Sequence, residues 1–242
     1  MTTGMTFNGV HSSSFGLLCS PRIPLLPAKR SSTISVAGRD GTYDFDQDSH
    51  ETRKIPVDCL VKGSSRAALR ALMDQMGAWL SGSGYLIFDH DTGKRWQAKV
   101  YEGIDPARAP IAAQFTVVFE AQPWPEDVNA RTGTIGTAQD YGSPRPFAPV
   151  ITTTITTGAT WLQVTHLASG RYVRIEDTLA VGNVIAIDMN TGKVTKNGAS
   201  IMTKVRIDSL FFTVPPGSQT ITLTTDGAAT ATMSYRRRYL YA

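Results

Sequence analysis

The 242-residue chain has few of the features on which most enzymes and membrane proteins depend. It contains two cysteines, Cys19 and Cys59, and neither lies in a CxxC or other metal-ligand spacing. No stretch approaches the ~18 apolar residues that a membrane-spanning helix needs. No basic segment followed by an apolar run begins the chain, so a secretory signal is not predicted. The two cysteines could form only one disulfide; we expect two reduced, buried thiols in preference to that bond, in a protein that stays in solution.

Motifs of catalysis and metal binding are also missing. There is no GxSxG, no HExxH and no glycine-rich loop leading into a helix. Residues 44–48 begin like a calcium loop, but Ser49 and Ile55 stand where Gly and Glu are required. Asp89-His90-Asp91 runs into Thr-Gly, which is typical of a hairpin tip. We predict no catalytic, metal or cofactor site, and a protein that is not an enzyme.

The composition is that of an ordinary globular protein, with 41% hydrophobic and 18% charged residues. Its length favours one large domain or two modest ones. Residues 126–148 are poor in large aliphatic side chains and rich in Gly, Thr, Pro and Asp, which marks a boundary. We predict a first domain over residues 1–130, a linker over 131–146 and a second domain over 147–242. The net charge of +4 is too mild for a dedicated nucleic-acid binder.

One amphipathic helix is predicted in the first domain, over residues 66–80, with Ser64 or Ser65 as its N-cap. Its apolar stripe recurs at i, i+3, i+4, i+7 and i+11, and consists of Leu69, Leu72, Met73, Met76 and Leu80. Burying five such side chains is worth roughly 8–15 kcal/mol, so the helix must lie on a sheet. Alternating segments at 55–61, 85–88, 95–101 and 114–121 supply the strands. The first domain is therefore predicted to be α+β, a mostly antiparallel sheet or barrel with one helix.

The second half alternates Thr, Val and Ile in short segments separated by turn residues. Strands are predicted at 150–157, 160–165, 172–176, 184–188, 193–196, 210–214 and 219–225. Seven short strands with regular turns indicate an all-β sandwich. The last segment, 228–242, either completes the sandwich or returns to the first domain, and the sequence leaves both open.

Two groups of arginines are candidate interface residues. Arg39 lies in the tight Gly38–Gly41 turn, where a subunit contact or a turn role is favoured over a ligand site. Arg236, Arg237 and Arg238 alternate with tyrosines near the chain end. Such a segment can contact phosphate and stack on bases. A solvated or interface-lining strand is the interpretation we favour.

Trp161 and Tyr172 are candidate aromatic residues for stacking against a sugar on one face of the sandwich. The alternative is that both belong to the core or to a protein interface. Asp188 and Glu176 are the acids in the sandwich with any catalytic potential, but each ends a predicted strand, where acids are common.

The order of several short motifs resembles the distal tail proteins of long-tailed bacteriophages (siphophages). The motifs are Phe7-Asn8-Gly9-Val10-His11-Ser12, the "GRDG" turn at residues 38–41, Arg53-Lys54-Ile55-Pro56-Val57 and Phe115-Thr116-Val117-Val118-Phe119 followed by Pro123. Together they cover residues 5–125. The second half is similar to the galectin-like sandwich that many of these proteins carry, through residues 149–151, 184–193 and 212–218.

The resemblance implies a structural virion protein that forms a homo-hexameric ring at the tail tip. The ring would join the tail-tube protein to the tail-associated hub protein and offer a mounting point for receptor-binding proteins. First domains would surround a channel through which DNA passes without specific binding, and second domains would project outward. Arg39 and the Arg236–Arg238 run are the charged interface or channel positions that we expect. The alternative function is a carbohydrate-binding module of a cell-surface adhesion device.

Overall fold

The computed structural model describes residues 4–31, 33–44 and 49–241. The chain divides into two compact units. The first comprises the described residues up to Glu126 together with Leu240 and Tyr241, and the second runs from Asp127 to Tyr239. Within these residues the strands pair antiparallel and there is a single α-helix, as predicted. No helix of the described residues is long and apolar enough to cross a membrane.

The first unit is built on one large antiparallel sheet. In chain order its strands are β1 (Met5–Phe7), β2 (Val10–His11), β3 (Leu18–Pro21), β6 (Arg53–Lys62), β7 (Ser83–Phe88), β8 (Lys94–Val100), β9 (Ala107–Arg108) and β10 (Ala112–Ala121). The spatial order is β2-β1-β7-β8-β10-β6-β3, with β9 also beside β10. The pairing of β6 with β10 extends over ten residues of each strand, from Arg53↔Ala121 to Lys62↔Ala112. Alternate side chains of these two strands are buried, which places one face of the pair in the core.

Helix α1 (Arg66–Leu80) packs its predicted stripe against this sheet. Leu69, Met76 and Leu80 are buried, and Leu72 and Met73 are partly buried against the same core. The Ser65 side chain accepts a hydrogen bond from the Ala68 N–H at 3.1 Å, so Ser65 is the N-cap. At the other end, the indole N–H of Trp79 donates to the Phe7 carbonyl at 2.9 Å and ties the helix to β1.

A small hairpin, β4 (Thr33–Ser35) with β5 (Thr42–Asp44), forms a sheet of its own. Its connection contains Gly38 and Gly41 at φ of +79° and +82°, values that suit glycine, so the predicted tight turn is confirmed. The chain then continues into β6.

A buried arginine joins distant parts of the first unit. Arg53 is 1% exposed, and its two terminal nitrogens donate to backbone carbonyls far along the chain. The acceptors are Pro24 at 2.8 Å, Pro123 at 3.0 Å and Leu240 at 3.0 Å. These bonds explain how the last residues of the chain come to belong to the first unit.

The second unit is a β-sandwich of two principal sheets around one core. The larger sheet contains β12 (Arg131–Gly133), β14 (Val150–Thr157), β17 (Val184–Asp188), β18 (Lys193–Lys196), β19 (Ala199–Ser200) and β22 (Ala228–Tyr235), in the order β12-β22-β14-β17-β18-β19. The smaller one contains β15 (Ala159–His166), β16 (Arg171–Leu179) and β21 (Ile221–Thr225), in the order β16-β15-β21. Inward residues of both sheets, such as Ile151 and Ile187 from one and Val164 and Ile175 from the other, share one hydrophobic cluster.

The structure corrects two of the expectations from the sequence. Residues 131–146 are not a linker but part of the second unit, because they supply β12 and β13 (Gln139–Asp140) and bury Tyr141 in its core. Residues 210–214 do not form a strand; Val214 makes an isolated bridge to Phe147. Phe212 and Val214 still point into the core. The alternating sequence pattern therefore reflects the burial of alternate side chains, although the segment does not pair continuously with another strand.

The C-terminal segment, whose position the sequence left open, divides between the units. Strand β22 completes the sandwich beside β14 and β12. The short connection β11 (Glu126–Asp127) stands at the boundary, and β20 (Ser218–Gln219) pairs with β13. Leu240 and Tyr241 join the first unit, where the Tyr241 carbonyl accepts a hydrogen bond from the Lys94 ammonium at 3.1 Å.

Candidate interface and ligand surfaces

Arg39 lies on the exposed β4–β5 hairpin and contacts an aromatic residue of the same hairpin. Its guanidinium carbon is 3.8 Å from the centroid of the Tyr43 ring, a cation–π contact. Tyr43 pairs in register with Ile34. These two side chains are 46% and 55% exposed, and Val36 beside them is also exposed. Two-stranded hairpins are marginally stable alone, so a hairpin with apolar side chains in solvent is typical of a contact surface.

The outer edges of the main sheet of the first unit are a second candidate contact surface. Strand β3 ends the sheet on one side and β2 on the other. Leu18 on β3 and Leu60 on β6 are paired in register and exposed on the outer face. An unprotected strand edge with apolar side chains can pair with another chain.

The side chains of Arg236 and Arg237 do not project freely, because backbone carbonyls of their own chain accept hydrogen bonds from them, whereas Arg238 is held through its backbone. The Arg236 guanidinium donates to the carbonyls of Asp127 and Val128, the former at 3.0 Å. Arg237 Nε donates to the Tyr141 carbonyl at 2.9 Å. The Arg238 backbone N–H donates to Ser143 Oγ at 3.0 Å.

Asp127 is the centre of this network, and sequence reasoning did not identify it. Its carboxylate accepts from Arg131 Nε at 2.7 Å, from the Tyr239 hydroxyl at 2.8 Å and from the Arg237 backbone N–H at 3.3 Å. Burial raises the pKa of Asp127, but these hydrogen bonds outweigh it and leave the pKa below its ordinary value. Two of the partners lie at least 110 residues away, a separation at which no local pattern signals a contact.

Trp161 and Tyr172 lie on the same outer face of the smaller sheet of the sandwich. Leu162 and Val164 of β15 and Val173 of β16 point into the core, so the residues that alternate with them point outward. Trp161 is opposite Glu176, and Tyr172 is opposite Thr165. The two aromatic residues are therefore four register positions apart, about 13 Å at ~3.3 Å per residue.

Charged side chains connect the two aromatic residues. The Arg174 guanidinium carbon is 4.3 Å from the centroid of the Trp161 ring, and its Nε donates to Glu176 at 3.0 Å. The Tyr172 hydroxyl donates to Asp208 Oδ2 at 2.7 Å, and Arg206 forms a two-pronged pair with the same carboxylate. The hydrogen bonds from Tyr172 and Arg206 hold the pKa of Asp208 below its ordinary value. The result is a preassembled surface of an aromatic ring, a cation and a second aromatic ring.

Within residues 4–31, 33–44 and 49–241 no three His, Cys, Asp or Glu side chains are grouped so as to hold a metal ion. Part of the calcium-like segment at 44–48 lies outside the described residues. Asp89-His90-Asp91 forms a short 3-10 turn between β7 and β8, in agreement with a hairpin tip, and Asp89 pairs with His11 at 3.0 Å.

Family models of phage tail proteins match both units of the chain. Residues 10–121 match the family model described as "Phage tail protein RIFT-related domain". Residues 142–239 match the model described as "Siphovirus-type tail component, C-terminal domain". A comparison with curated protein sequences finds no match.

Solved structures with the same fold come from phage tails. The structure of the Dit protein of phage SPP1, described as "a Paradigm of Hub Adsorption Apparatus in Gram-positive Infecting Phages", matches 99% of this chain and 100% of its own at a TM-score of 0.85 and 17% identity. A chain of the phage P2 baseplate in its activated conformation with Ca matches over the full length of both chains, at a TM-score of 0.58 and 10% identity. The corresponding structure with Sr gives 0.56 and 9%, over 100% of this chain and 99% of that one.

The two family models, one over each unit, thus define a β-rich structural component of a long-tailed phage tail. The chain belongs to the siphophage distal tail protein family, as the order of its motifs predicted.

Proposed function

We propose that this protein forms a hexameric ring at the distal end of the phage tail and adapts the tail tube to the hub and baseplate. The observation that carries the proposal is the match to SPP1 Dit over essentially the whole of both chains, which includes both units. In this role the first unit forms the ring around a channel for DNA. The second unit is a galectin-like sandwich that projects outward toward receptor-binding proteins.

The exposed β4–β5 hairpin and the strand edges of the first unit supply suitable ring contacts. A ring closes when one surface of a subunit binds a different surface of the next and the rotation suits the symmetry. Such an interface should bury more than ~1,000 Å² in total. The apolar side chains of the hairpin and the outer edge of β3, the last strand of the sheet, are two different surfaces of one unit, which is what head-to-tail contact requires.

We assign Arg39 to the contact between subunits. Its guanidinium is exposed and stacks on the Tyr43 ring, so an acidic group of the next subunit can reach it. Arg236, Arg237 and Arg238 remain a prediction for interface or channel positions. Because Arg236 and Arg237 already bind backbone carbonyls of their own chain, we expect them to contribute less to salt-sensitive assembly than Arg39.

The test is the mass of the purified full chain over a range of concentrations and salt. We expect a species of six times the 26.2 kDa subunit mass, and co-purification with a tail-tube or hub protein. Arg39→Ala should weaken the ring and reduce the salt dependence of its assembly. Arg171→Ala, at an exposed position of the second unit, is the matched control and should leave both unchanged. A monomeric mass at every concentration, together with no capture by tube or hub proteins, would refute the proposal.

A second candidate function is carbohydrate binding by the outer face of the sandwich. It is favoured by one observation: Trp161, Arg174 and Tyr172 share the solvent side of a single sheet, and Arg174 stacks on Trp161. Aromatic faces stack on sugar rings, and the adjoining Asp208 and Glu176 carboxylates accept hydrogen bonds from hydroxyl groups.

Sugar affinity of the full chain separates this candidate from the ring adaptor. Calorimetry with cell-wall oligosaccharides should show binding that Trp161→Ala abolishes and that Tyr101→Ala, an exposed tyrosine of the first unit, leaves intact. Equal binding by both variants, or none by the unmodified protein, would exclude a sugar site at Trp161.

A further inference from the structure

Cys19 and Cys59 face each other across two adjacent strands of the first unit. Cys19 lies on β3 and Cys59 on β6, and the two are paired in register. Both are buried, and their sulfur atoms are 4.0 Å apart. Neither the ring proposal nor the sugar-binding proposal uses these two thiols.

The hydrogen-bond pattern shows which kind of cross-strand pair they form. One position beyond the Pro21–Val57 pair, and three beyond Cys19–Cys59, the Arg22 N–H donates to the Pro56 carbonyl at 2.9 Å, so Arg22 and Pro56 are a hydrogen-bonded pair. Such pairs alternate along an antiparallel ladder with pairs that have no backbone bonds between them. Counting back from Arg22, Cys19 and Cys59 fall at a position without hydrogen bonds.

The opposite side of β6 leads to the same assignment. The Gly63 N–H donates to the Ile111 carbonyl at 2.8 Å, which continues the ladder between β6 and β10. Counting by two from Gly63 reaches Cys59, whose backbone groups therefore point toward β10. The backbone of Cys59 is turned away from β3, which is what a pair without hydrogen bonds requires.

Pairs of this kind have the geometry that a disulfide needs. Their Cα atoms are ~4.5 Å apart, within the ~4.4–6.8 Å that disulfides span. The sulfur atoms must approach from 4.0 Å to a bond length of ~2.05 Å, which rotation about the two Cα–Cβ bonds can supply. The strands themselves need not change register.

We propose that Cys19 and Cys59 are a covalent modification site, at which a disulfide forms when the protein passes from a reducing to an oxidising solution. The oxidant is a small-molecule disulfide such as oxidised glutathione. The thiolate of one cysteine attacks it, forms a mixed disulfide and expels one glutathione thiolate. The thiolate of the second cysteine attacks the protein sulfur of the mixed disulfide and expels the other. Two protein thiols are oxidised, one glutathione disulfide is reduced to two thiols, and the cysteine protons pass to the glutathione thiolates.

Cys19 is the residue that reacts first. The hydrogen bond from the Cys59 thiol lowers the pKa of Cys19, whereas the same bond raises the pKa of Cys59. Cys19 also lies on the shorter strand, at the edge of the sheet. Edge strands open locally at a lower free-energy cost than central ones, which gives the oxidant access to a thiol that is buried on average.

The bond would fix the base of the candidate contact hairpin. Residues 19 and 59 enclose the β4–β5 hairpin in one covalent loop, and they join the edge strand β3 to β6. A cross-link that closes a loop of this length stabilises mainly by restricting the unfolded chain. The inference does not depend on hexamer formation, because it concerns the single chain.

Peptide mapping of the full chain tests the proposal directly. The native protein is equilibrated with oxidised or reduced glutathione, unfolded in the presence of an alkylating agent and digested with trypsin. Cleavage after Arg22, Lys54 and Lys62 places Cys19 in the fragment 1–22 and Cys59 in the fragment 55–62. In the oxidised sample we expect the two fragments as one linked species, and in the reduced sample as two alkylated peptides.

Thermal unfolding is the second measurement. Oxidation should raise the unfolding midpoint by about 5–10 °C, and this rise should vanish in Cys19→Ser and in Cys59→Ser. Two outcomes would overturn the proposal: both cysteines fully alkylated after equilibration with oxidised glutathione, or glutathione retained on Cys19 without closure onto Cys59. If a serine variant folds poorly, peptide mapping of the unsubstituted chain still tests whether the disulfide forms.

Discussion

Arg53 in the first unit and Asp127 in the second are both buried charges that hold remote segments together, but their partners differ. Arg53 is held by neutral groups, namely backbone carbonyls and the Trp96 ring 4.9 Å away, and its burial lowers its pKa to about 10. Asp127 faces the cationic Arg131 and two further donors, and its pKa falls below the ordinary value of a carboxylate.

The difference lies in what each network contributes. A charge solvated by neutral carbonyls gains hydrogen bonds but carries an uncompensated desolvation cost. A charge with an opposite partner recovers part of that cost by Coulomb attraction. We infer that Arg53 serves to position segments, whereas Asp127 also contributes a pH-dependent share of stability.

The largest expected effect comes from removing the buried cation. Arg53→Met should cost about 3–5 kcal/mol in the free energy of unfolding, because several buried carbonyls lose their donor at once. Urea unfolding measures the loss, and hydrogen exchange of β6 assigns it to the first unit. Arg22→Met, which breaks an exposed ion pair with Asp58, is the control and should cost at most ~1 kcal/mol. A similar loss of unfolding free energy in both variants would show that the buried Arg53 contributes no more to stability than an exposed arginine.

A smaller loss is expected when the buried anion becomes neutral. Asp127→Asn keeps the size of the side chain but weakens the bonds from Arg131, Tyr239 and the Arg237 backbone, and should cost about 1–3 kcal/mol. The measurement is urea unfolding, with hydrogen exchange of β22 to locate the effect in the second unit. Asp74→Asn, on the exposed face of α1, should have no measurable effect.

The pH dependence distinguishes the two networks more sharply. The pKa of Asp127 is lower in the folded than in the unfolded state, so its contribution is complete above the unfolded value of ~3.9. That contribution is lost as the pH falls through the folded pKa. Asp127→Asn should therefore reduce the acid sensitivity of the second unit in unfolding experiments between about pH 5 and pH 2. Identical acid profiles of the variant and the unmodified chain would contradict the assignment.

The smallest effect on stability is expected at an exposed cation. Arg39→Ala removes only the stacking on Tyr43, which at an exposed site is worth about 0.5–1 kcal/mol. Thermal unfolding of the monomeric chain measures it. A loss comparable to that of Arg53→Met would mean that Arg39 is part of the fold rather than of a contact between subunits.

Sequence patterns predicted those parts of the fold that depend on interactions between residues close together in the chain. The helix over Arg66–Leu80, its serine cap and the turn between Gly38 and Gly41 depend on neighbours within a few residues. Alternation likewise located β6, β10 and β14. The same alternation failed at residues 210–214, because burial of alternate side chains does not require a partner strand.

The sequence indicated which residues belong to the candidate site, but not which other side chains surround them. Trp161 and Tyr172 do lie on one outward face, because both belong to strands whose alternate residues are apolar. Arg174 lies between them because it alternates with Tyr172 on the same strand. Arg206 and Asp208 complete the surface from a loop that lies more than 30 residues beyond Tyr172, and that contact depends on the tertiary fold.

The sequence by itself determined the strand-rich architecture, the amphipathic helix and, through the order of short motifs, the distal tail protein family. Only the tertiary structure decided how 131–146 and the end of the chain are distributed between the units, where the arginines point and that the two cysteines face each other. The reason is physical: the Arg53–Leu240 and Asp127–Tyr239 bonds span 187 and 112 residues. Such contacts form when the core brings remote segments together, and they leave no periodic signal in the chain.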